Sequence, residues 1–140
     1  MMAIATKEIV LKTKGNNQIL DLTAQIEKAL SALAIQDGIV TVFVPGSTAG
    51  ITTIEFESGV VHDLKEAFER LIPRNMDYEH NLRWGDGNGF SHVRAALCKA
   101  SLTVPFTDRR LLLGTWQQIV LVDFDNRPRE RRLILQFMGE

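Results

Sequence analysis

Short apolar segments separated by tight, charged turns make up the C-terminal part of the chain, and this pattern restricts the fold more than any other feature. Turns of only a few residues join antiparallel neighbours, because parallel strands need long crossover connections. We predict four strands in this part: Ser101–Phe106, Leu111–Leu113, Gln117–Phe124 and Arg131–Phe137. Thr107–Arg110 and Asp125–Pro128 are predicted turns.

The first part of the chain alternates strand patterns with amphipathic helix patterns. The predicted strands are Ala3–Lys12, Ile19–Leu20, Ile39–Val44 and Ile51–Phe56. One helix is predicted after Asp21, a second after Ser58, and a short third from Ser91 to Lys99, each opening on a capping residue. The sequence therefore predicts an α+β protein. Its mostly antiparallel, β-sandwich-like core would carry two main helices and one minor helix in a single domain, residues 1–140.

The composition excludes several classes of protein. The chain is 45% hydrophobic and 24% charged, as in ordinary globular proteins, with a net charge of -1. That balance disfavours non-specific binding to nucleic acid or to a membrane surface. A single cysteine, Cys98, cannot form an internal disulfide. No leader-like start or membrane-spanning apolar run is apparent, so we expect a soluble, cytoplasmic protein without membrane or nucleic-acid partners.

The segment from Asn75 to Gly89 has no periodicity and is predicted to be a long loop with a functional role. It places His80, Asp86 and His92 six residues apart, so that only a folded loop could collect them. Imidazole and carboxylate groups suit zinc, manganese or another divalent ion, and three ligands would leave an open catalytic position. The alternative is that His80 and His92 satisfy local backbone groups and Asp86 only forms a turn.

Two neighbouring segments supply further candidates. Ser47 and Thr48 lie in a small-residue loop whose hydroxyls and backbone N–H groups could hold an anion, or which could be a plain turn. Glu55 lies in the following strand and is a candidate general base or metal ligand, with a surface charge as the alternative.

Two later segments could also contact a ligand. Gly114 interrupts an apolar β region and could mark a bulge that presents Thr115 and Gln117, although Gln117 could equally face solvent. A cluster of arginines lies in and after the next turn, at Arg127, Arg129, Arg131 and Arg132. Arginines in such clusters bind phosphate well, and a solvated hairpin tip is the alternative.

These segments together are similar to the YjbQ-like family of small uncharacterised proteins. The similarity extends over nearly the whole chain and lies in the order and spacing of several motifs. They are Gly46–Glu55, Asp63, Tyr78–His80, Ser91–His92, Ser101–Leu102 with Pro105, Gly114–Gln117 and the arginine-rich final strand. The chain departs from one branch of the family at Gly46, where that branch has histidine, and at Ile54, where it has asparagine.

The resemblance implies a YjbQ-like fold, a homotrimer, and a polar pocket with a divalent metal ion (Zn, Mg or Mn). His80 and His92 match the family's two histidines, Asp86 matches approximately, and these three form the implied metal set. Glu55 and Gln117 match as catalytic candidates. Ser47, Thr48, Thr115 and Arg129 are the candidate phosphate ligands.

Two functional hypotheses follow. Some family members are credited with a secondary thiamine-phosphate synthase activity, which joins a pyrimidine-methyl diphosphate to a thiazole phosphate and releases pyrophosphate. The first hypothesis is therefore a metal-assisted transferase that acts on small phosphorylated molecules. The alternative is a non-enzymatic homotrimer that binds a small anionic metabolite or acts as a regulatory module.

Overall fold

The computed structural model describes all 140 residues and contains eight strands and four helices. The strands are β1 (Ala3–Thr13), β2 (Gln18–Asp21), β3 (Gly38–Phe43), β4 (Ala49–Glu55), β5 (Ser101–Thr107), β6 (Arg110–Leu111), β7 (Gln117–Asp123) and β8 (Arg129–Gly139). The helices are α1 (Thr23–Ser31), α2 (Ser58–Leu71), α3 (Glu79–Trp84) and α4 (Gly89–Cys98).

The strands form two antiparallel sheets. The five-stranded sheet has the order β1-β8-β3-β5-β6, and the three-stranded sheet has the order β2-β7-β4. In the smaller sheet, β4 pairs with β7 from Ala49 opposite Asp123 to Glu55 opposite Gln117. This register defines two ends of one strand pair, which prove to differ in chemistry.

The hydrophobic core lies on both faces of the three-stranded sheet. Ile119 and Leu121 of β7 belong to the main core, together with β3, β8 and Leu22 and Ile26 at the start of α1. Val120 and Val122 point the other way, into a smaller cluster covered by α2 and α4. Because alternate side chains of a strand face opposite sides, a strand buried on both faces must be continuously apolar, as the run Ile119–Val122 is.

The structure confirms the predicted α+β class with antiparallel sheets and corrects the number of helices and their caps. Leu22 stands at the cap position of α1 and Asn88 at that of α4, in place of the predicted Asp21 and Ser91. The segment Asn75–Gly89 was predicted to be a loop, but it contains the six-residue helix α3, which makes four helices. The helix α2 is capped by Glu57, whose carboxylate accepts hydrogen bonds from the Gly59 and Val60 N–H groups, and not by Ser58.

Candidate functional site

His80, Asp86 and His92 lie together at the junction of α3 and α4, and we call them the histidine cluster. The imidazole ring centroids of His80 and His92 are 4.4 Å apart, with the rings tilted by 39°. His80 Nδ1 lies 3.4 Å from Asp86 Oδ1. The sequence hypothesis that a folded segment collects these three side chains therefore agrees with their positions.

Local turns create this arrangement. Gly85 ends α3 in the left-handed conformation (φ 64°), which favours glycine and reverses the chain within a few residues. The side-chain oxygen of Asn81 then accepts a hydrogen bond from the Gly89 N–H at 2.8 Å, so the start of α4 is held against α3. The two histidines consequently face each other from consecutive helices.

The two histidines have different electrostatic surroundings. His80 Nδ1 is buried and makes no hydrogen bond, and it is the only buried side-chain polar atom of the protein in that condition. The pKa of His92 lies below the usual histidine value because of burial and the neighbouring His80, against the opposing influence of Asp86, Asp125 and the Ser47 backbone. His92 is therefore a neutral imidazole at pH 7, able to accept a proton.

A cavity of about 310 Å³ lies between the β3–β4 loop and α4, with His92 in its wall. Four of its lining residues are alanines, which keep it open, and its polar side chains come from Ser47, His92 and Lys99. The remaining lining residue is Gly46. The cavity thus combines a neutral base, a hydroxyl and an ammonium group.

A buried ionic network lies where β7 and β8 meet the β3–β4 loop. Asp123 and Asp125 are fully buried, and Arg131 is 7% exposed. Arg131 binds both carboxylate oxygens of Asp123, at 2.8 and 2.9 Å, and Arg129 donates to Asp125 at 2.9 Å. Thr48 donates to Asp125 and accepts from Arg131. Burial opposes ionisation of Asp125, but hydrogen bonds from Thr48 and Arg129 outweigh it and lower its pKa.

The opposite end of the β4–β7 pair is exposed, and its polar groups bind one another. We call residues Gly114–Gln117 at this end the glutamine turn. Gln117 donates to Thr53 Oγ1 at 3.1 Å and accepts from the Gly114 N–H at 3.0 Å. Thr115 is exposed, as is Glu55, which lies opposite Gln117 in the register. No cavity residue of the histidine end belongs to this turn.

The predicted site residues therefore divide into two groups. Ser47 and His92 line the cavity, and His80 with Asp86 lies against His92. Thr48 and Arg129 belong to the ionic network near the same loop. Glu55, Thr115 and Gln117 lie at the far end of β4, roughly 20 Å away at ~3.3 Å per residue. Within one chain, Glu55 therefore does not reach the cavity that His92 lines.

Lys99 was missed from the sequence, whereas Arg131 belongs to the predicted arginine cluster. Lys99 follows α4 and lines the cavity, and Arg131 Nη1 lies close to Gly46. Alternation in β8 places Arg129 and Arg131 on the same face, but nothing in the sequence shows that Asp123 lies opposite Arg131. Cys98 is not a nucleophile here, because burial raises the pKa of its thiol to about 11.

The fit of a metal ion to the histidine cluster is incomplete. The donor types suit a divalent ion, and the orphaned His80 Nδ1 beside Asp86 is a position that a cation would satisfy. In the present conformation, however, no three His, Cys, Asp or Glu side chains are arranged so that they could hold one. His80 and Asp86 would hold the ion, and His92 would have to reorient to join them.

No helix of the protein combines the length and apolar character needed to cross a membrane.

The chain is thus a small α+β protein in which two antiparallel sheets pack together. A pocket with His92 in its wall lies between the β3–β4 loop and α4. The family model described as UPF0047 protein YjbQ-like matches residues 7–140, and the chain belongs to this family. The resemblance drawn from its motifs is thereby confirmed.

Similar proteins occur in archaea and bacteria. A UPF0047 protein of Archaeoglobus fulgidus is 36% identical over 129 residues, covering 92% of this chain and 98% of that protein. The UPF0047 protein YugU of Bacillus subtilis is 33% identical over 135 residues, covering 95% and 98%. Neither name states an activity.

Solved structures share the fold. A YbjQ-like protein of unknown function from Sulfolobus solfataricus superposes with a TM-score of 0.94 at 30% identity, covering 100% of both chains. A hypothetical protein from Aeropyrum pernix K1 gives a TM-score of 0.90 at 33% identity, covering 97% of this chain and 99% of that one.

Proposed function

We propose that the cavity between the β3–β4 loop and α4 binds a small phosphorylated metabolite. The observation that carries this proposal is the convergence of Ser47, His92 and Lys99 on one cavity. A hydroxyl and an ammonium group bind phosphate oxygens, and a neutral imidazole accepts a proton from a ligand that carries one. This makes a small anionic metabolite the ligand that the site supports best.

The size of the cavity limits the ligand. About 310 Å³ is at the lower end of the range of small-molecule pockets. A phosphate attached to one ring fits such a volume. The alanine side chains of the wall supply the apolar surface that a ring would contact.

Titration with inorganic phosphate, followed by amide NMR shifts and by thermal stabilisation, tests this proposal. Phosphate should raise the melting temperature of the wild type by binding the native state, and His92→Ala should weaken its binding about tenfold. His62→Ala, an exposed position on α2, is the matched control and should bind as the wild type does. Absence of binding to the wild type at millimolar phosphate would contradict the proposal.

A second candidate is the metal-assisted transferase, and the orphaned His80 Nδ1 beside Asp86 is the observation that favours it. A divalent ion there would stabilise negative charge on a departing diphosphate. Lys99, in the wall of the neighbouring cavity, would bind the diphosphate oxygens. The reaction in question is that of a thiamine-phosphate synthase, in which the pyrimidine-methyl carbon leaves its diphosphate oxygen and bonds to the thiazole nitrogen.

Isothermal titration of Zn²⁺ or Mn²⁺ into chelator-treated protein tests the metal, and pyrophosphate release from the two phosphorylated substrates tests the reaction. His80→Ala should remove metal binding, whereas His62→Ala should preserve it. Equal metal binding by His80→Ala and wild type would rule out the ion at this position. Phosphate binding without pyrophosphate release would leave the binding function and remove the transferase.

We also propose that the protein assembles as a homotrimer. The outward face of the five-stranded sheet carries an apolar row in which Ile4 pairs with Met138 and Met138 with Ile39. All three side chains are at least 40% exposed, and a second copy could cover them. Light scattering behind a sizing column should give three times the chain mass, and a monomeric mass would contradict the trimer.

A further inference from the structure

The guanidinium of Arg131 has an unpaired edge beside Gly46, a residue of the cavity wall. Of its five N–H donors, the one on Nε and the two on Nη2 bind Asp123 and Thr48, at 2.7 to 2.9 Å. Nη1 donates to no protein acceptor, although Arg131 as a whole is only 7% exposed.

Gly46 is the residue that leaves this edge open. A Cβ at position 46 would lie 3.1 Å from Arg131 Nη1, closer than ordinary van der Waals contact, and no other atom lies within 4 Å of it. Gly46 also lines the cavity and has a φ of 125°, a conformation that only glycine adopts readily. The chain therefore places a residue without a side chain next to both the guanidinium edge and the cavity.

We propose that Arg131 Nη1 is the principal donor to the phosphoryl group of the ligand, and that Gly46 gives the ligand access to it. This inference rests on the proposed function and names the atom that recognises its substrate class. Nη1 lies beside Gly46, and Ser47 and Lys99 line the cavity wall. Donors from several directions suit a tetrahedral oxyanion better than a planar carboxylate, which an arginine binds side by side.

The ionic network prepares the guanidinium for this role. The bidentate contact with Asp123 fixes the plane of the group, so that Nη1 is held in one orientation before a ligand arrives. The carboxylates of Asp123 and Asp125 and the guanidiniums of Arg129 and Arg131 compensate one another. An arriving phosphate thus meets a fixed N–H donor without an excess of nearby negative charge from this network.

Arg131 of β8 can bind Asp123 of β7, and so connect the two sheets, without leaving Nη1 unpaired. The Asp123 carboxylate is satisfied by Nε, Nη2 and the Thr13 hydroxyl. Nη1 contributes nothing to that satisfaction. An uncovered donor at the edge of a cavity is the feature that a purely structural arginine would not need.

The test compares inorganic phosphate binding in four proteins by NMR: wild type, Arg131→Lys, Gly46→Ala and Arg132→Lys. We expect Arg131→Lys to weaken binding at least tenfold, because lysine keeps the charge but loses the fixed Nη1 donor. Gly46→Ala should weaken it severalfold without removing any group of the Arg131–Asp123 pair. Arg132→Lys is the matched control, since Arg132 lies on the same strand but binds Glu8 on the exposed face, and should leave binding unchanged.

Two further measurements decide the outcome. Phosphate should shift the side-chain resonances of Arg131 in wild-type protein labelled with ¹⁵N-arginine, a result that does not depend on whether a variant folds. Sulfate should compete with phosphate, and acetate should compete poorly. Binding that leaves the Arg131 resonances unshifted and is equal in Gly46→Ala overturns this inference while the proposed function stands. Failure of the wild type to bind phosphate contradicts the proposed function itself.

Discussion

The two ends of the β4–β7 strand pair differ in how their polar groups are satisfied. At the Asp123 end, two buried carboxylates and a buried arginine form a network in which Arg131 Nη1 donates to no protein group. His80 Nδ1, in the histidine cluster, is buried without a hydrogen bond. At the Gln117 end, the side-chain amide binds Thr53 and the Gly114 backbone, and its neighbours are exposed. Unsatisfied groups beside a cavity indicate a ligand site, whereas a self-satisfied turn indicates a structural role within the single chain.

The largest expected difference between the two ends is in stability. Asp123→Ala would leave the Arg131 guanidinium buried without its partner, and should lower the free energy of unfolding by about 3–5 kcal/mol. Glu55→Ala at the exposed end should change it by less than about 0.5 kcal/mol. Urea denaturation of both variants measures the difference, and similar losses would mean that the two ends are not distinct.

Removing a single buried hydroxyl should lower the free energy of unfolding by a smaller amount. Thr48→Val removes a buried donor to Asp125 and a buried acceptor from Arg131, so unfolding should become easier by about 1–3 kcal/mol. Thr53→Val removes only the exposed contact with Gln117 and should have little effect. Denaturation curves of the pair check this, and a larger loss for Thr53→Val would reverse the interpretation.

Variants at the two ends should differ in their affinity for phosphate by about tenfold, or ~1.4 kcal/mol. His92→Ala should weaken phosphate binding by that factor, while Gln117→Ala should bind as the wild type does. Fluorescence or NMR titration gives both constants. If Gln117→Ala lost affinity and His92→Ala kept it, the cavity would have been assigned to the wrong end.

The smallest expected effect is on the pH dependence of stability. The native pKa of His92 is below the usual histidine value, so the unfolded chain binds a proton first as the pH falls. The contribution of His92 to the free energy of unfolding is fully present above about pH 6.5. It declines as the pH falls below that value, until His92 in the native state also protonates. His92→Gln should flatten that decline in thermal melts between pH 7 and pH 5, whereas a Gln117 variant should not. An unchanged slope would contradict the assignment.

Much of the fold could be predicted from the sequence because alternation and turns are local signals. The run Ile119–Val122 and the turns beside it specify a buried strand without knowledge of its partners. The helix α3 was missed because six residues are too few for helical periodicity or for independent stability. Its position depends on tertiary contacts such as the hydrogen bond between Asn81 and Gly89.

The candidate site was predictable only in part, for a physical reason. Spacing indicated that His80, Asp86 and His92 could meet, but strand register decides which residues lie at which end of a sheet. Seven residues separate Thr48 from Glu55 along extended chain, and the sequence alone did not reveal that this distance excludes a shared cavity. The free edge of Arg131 depends on a pairing between β7 and β8 that no local motif encodes.

The central claim is that ligand chemistry resides at the Asp123 end, in the cavity beside His92 and Gly46. Amide chemical-shift mapping during phosphate titration of the wild-type protein tests it most directly. We predict that the shifted resonances cluster at Gly46, Ser47 and the His92–Lys99 stretch, with none at Thr115–Gln117. Shifts confined to Glu55 and Thr115–Gln117, with the cavity residues unmoved, would contradict it.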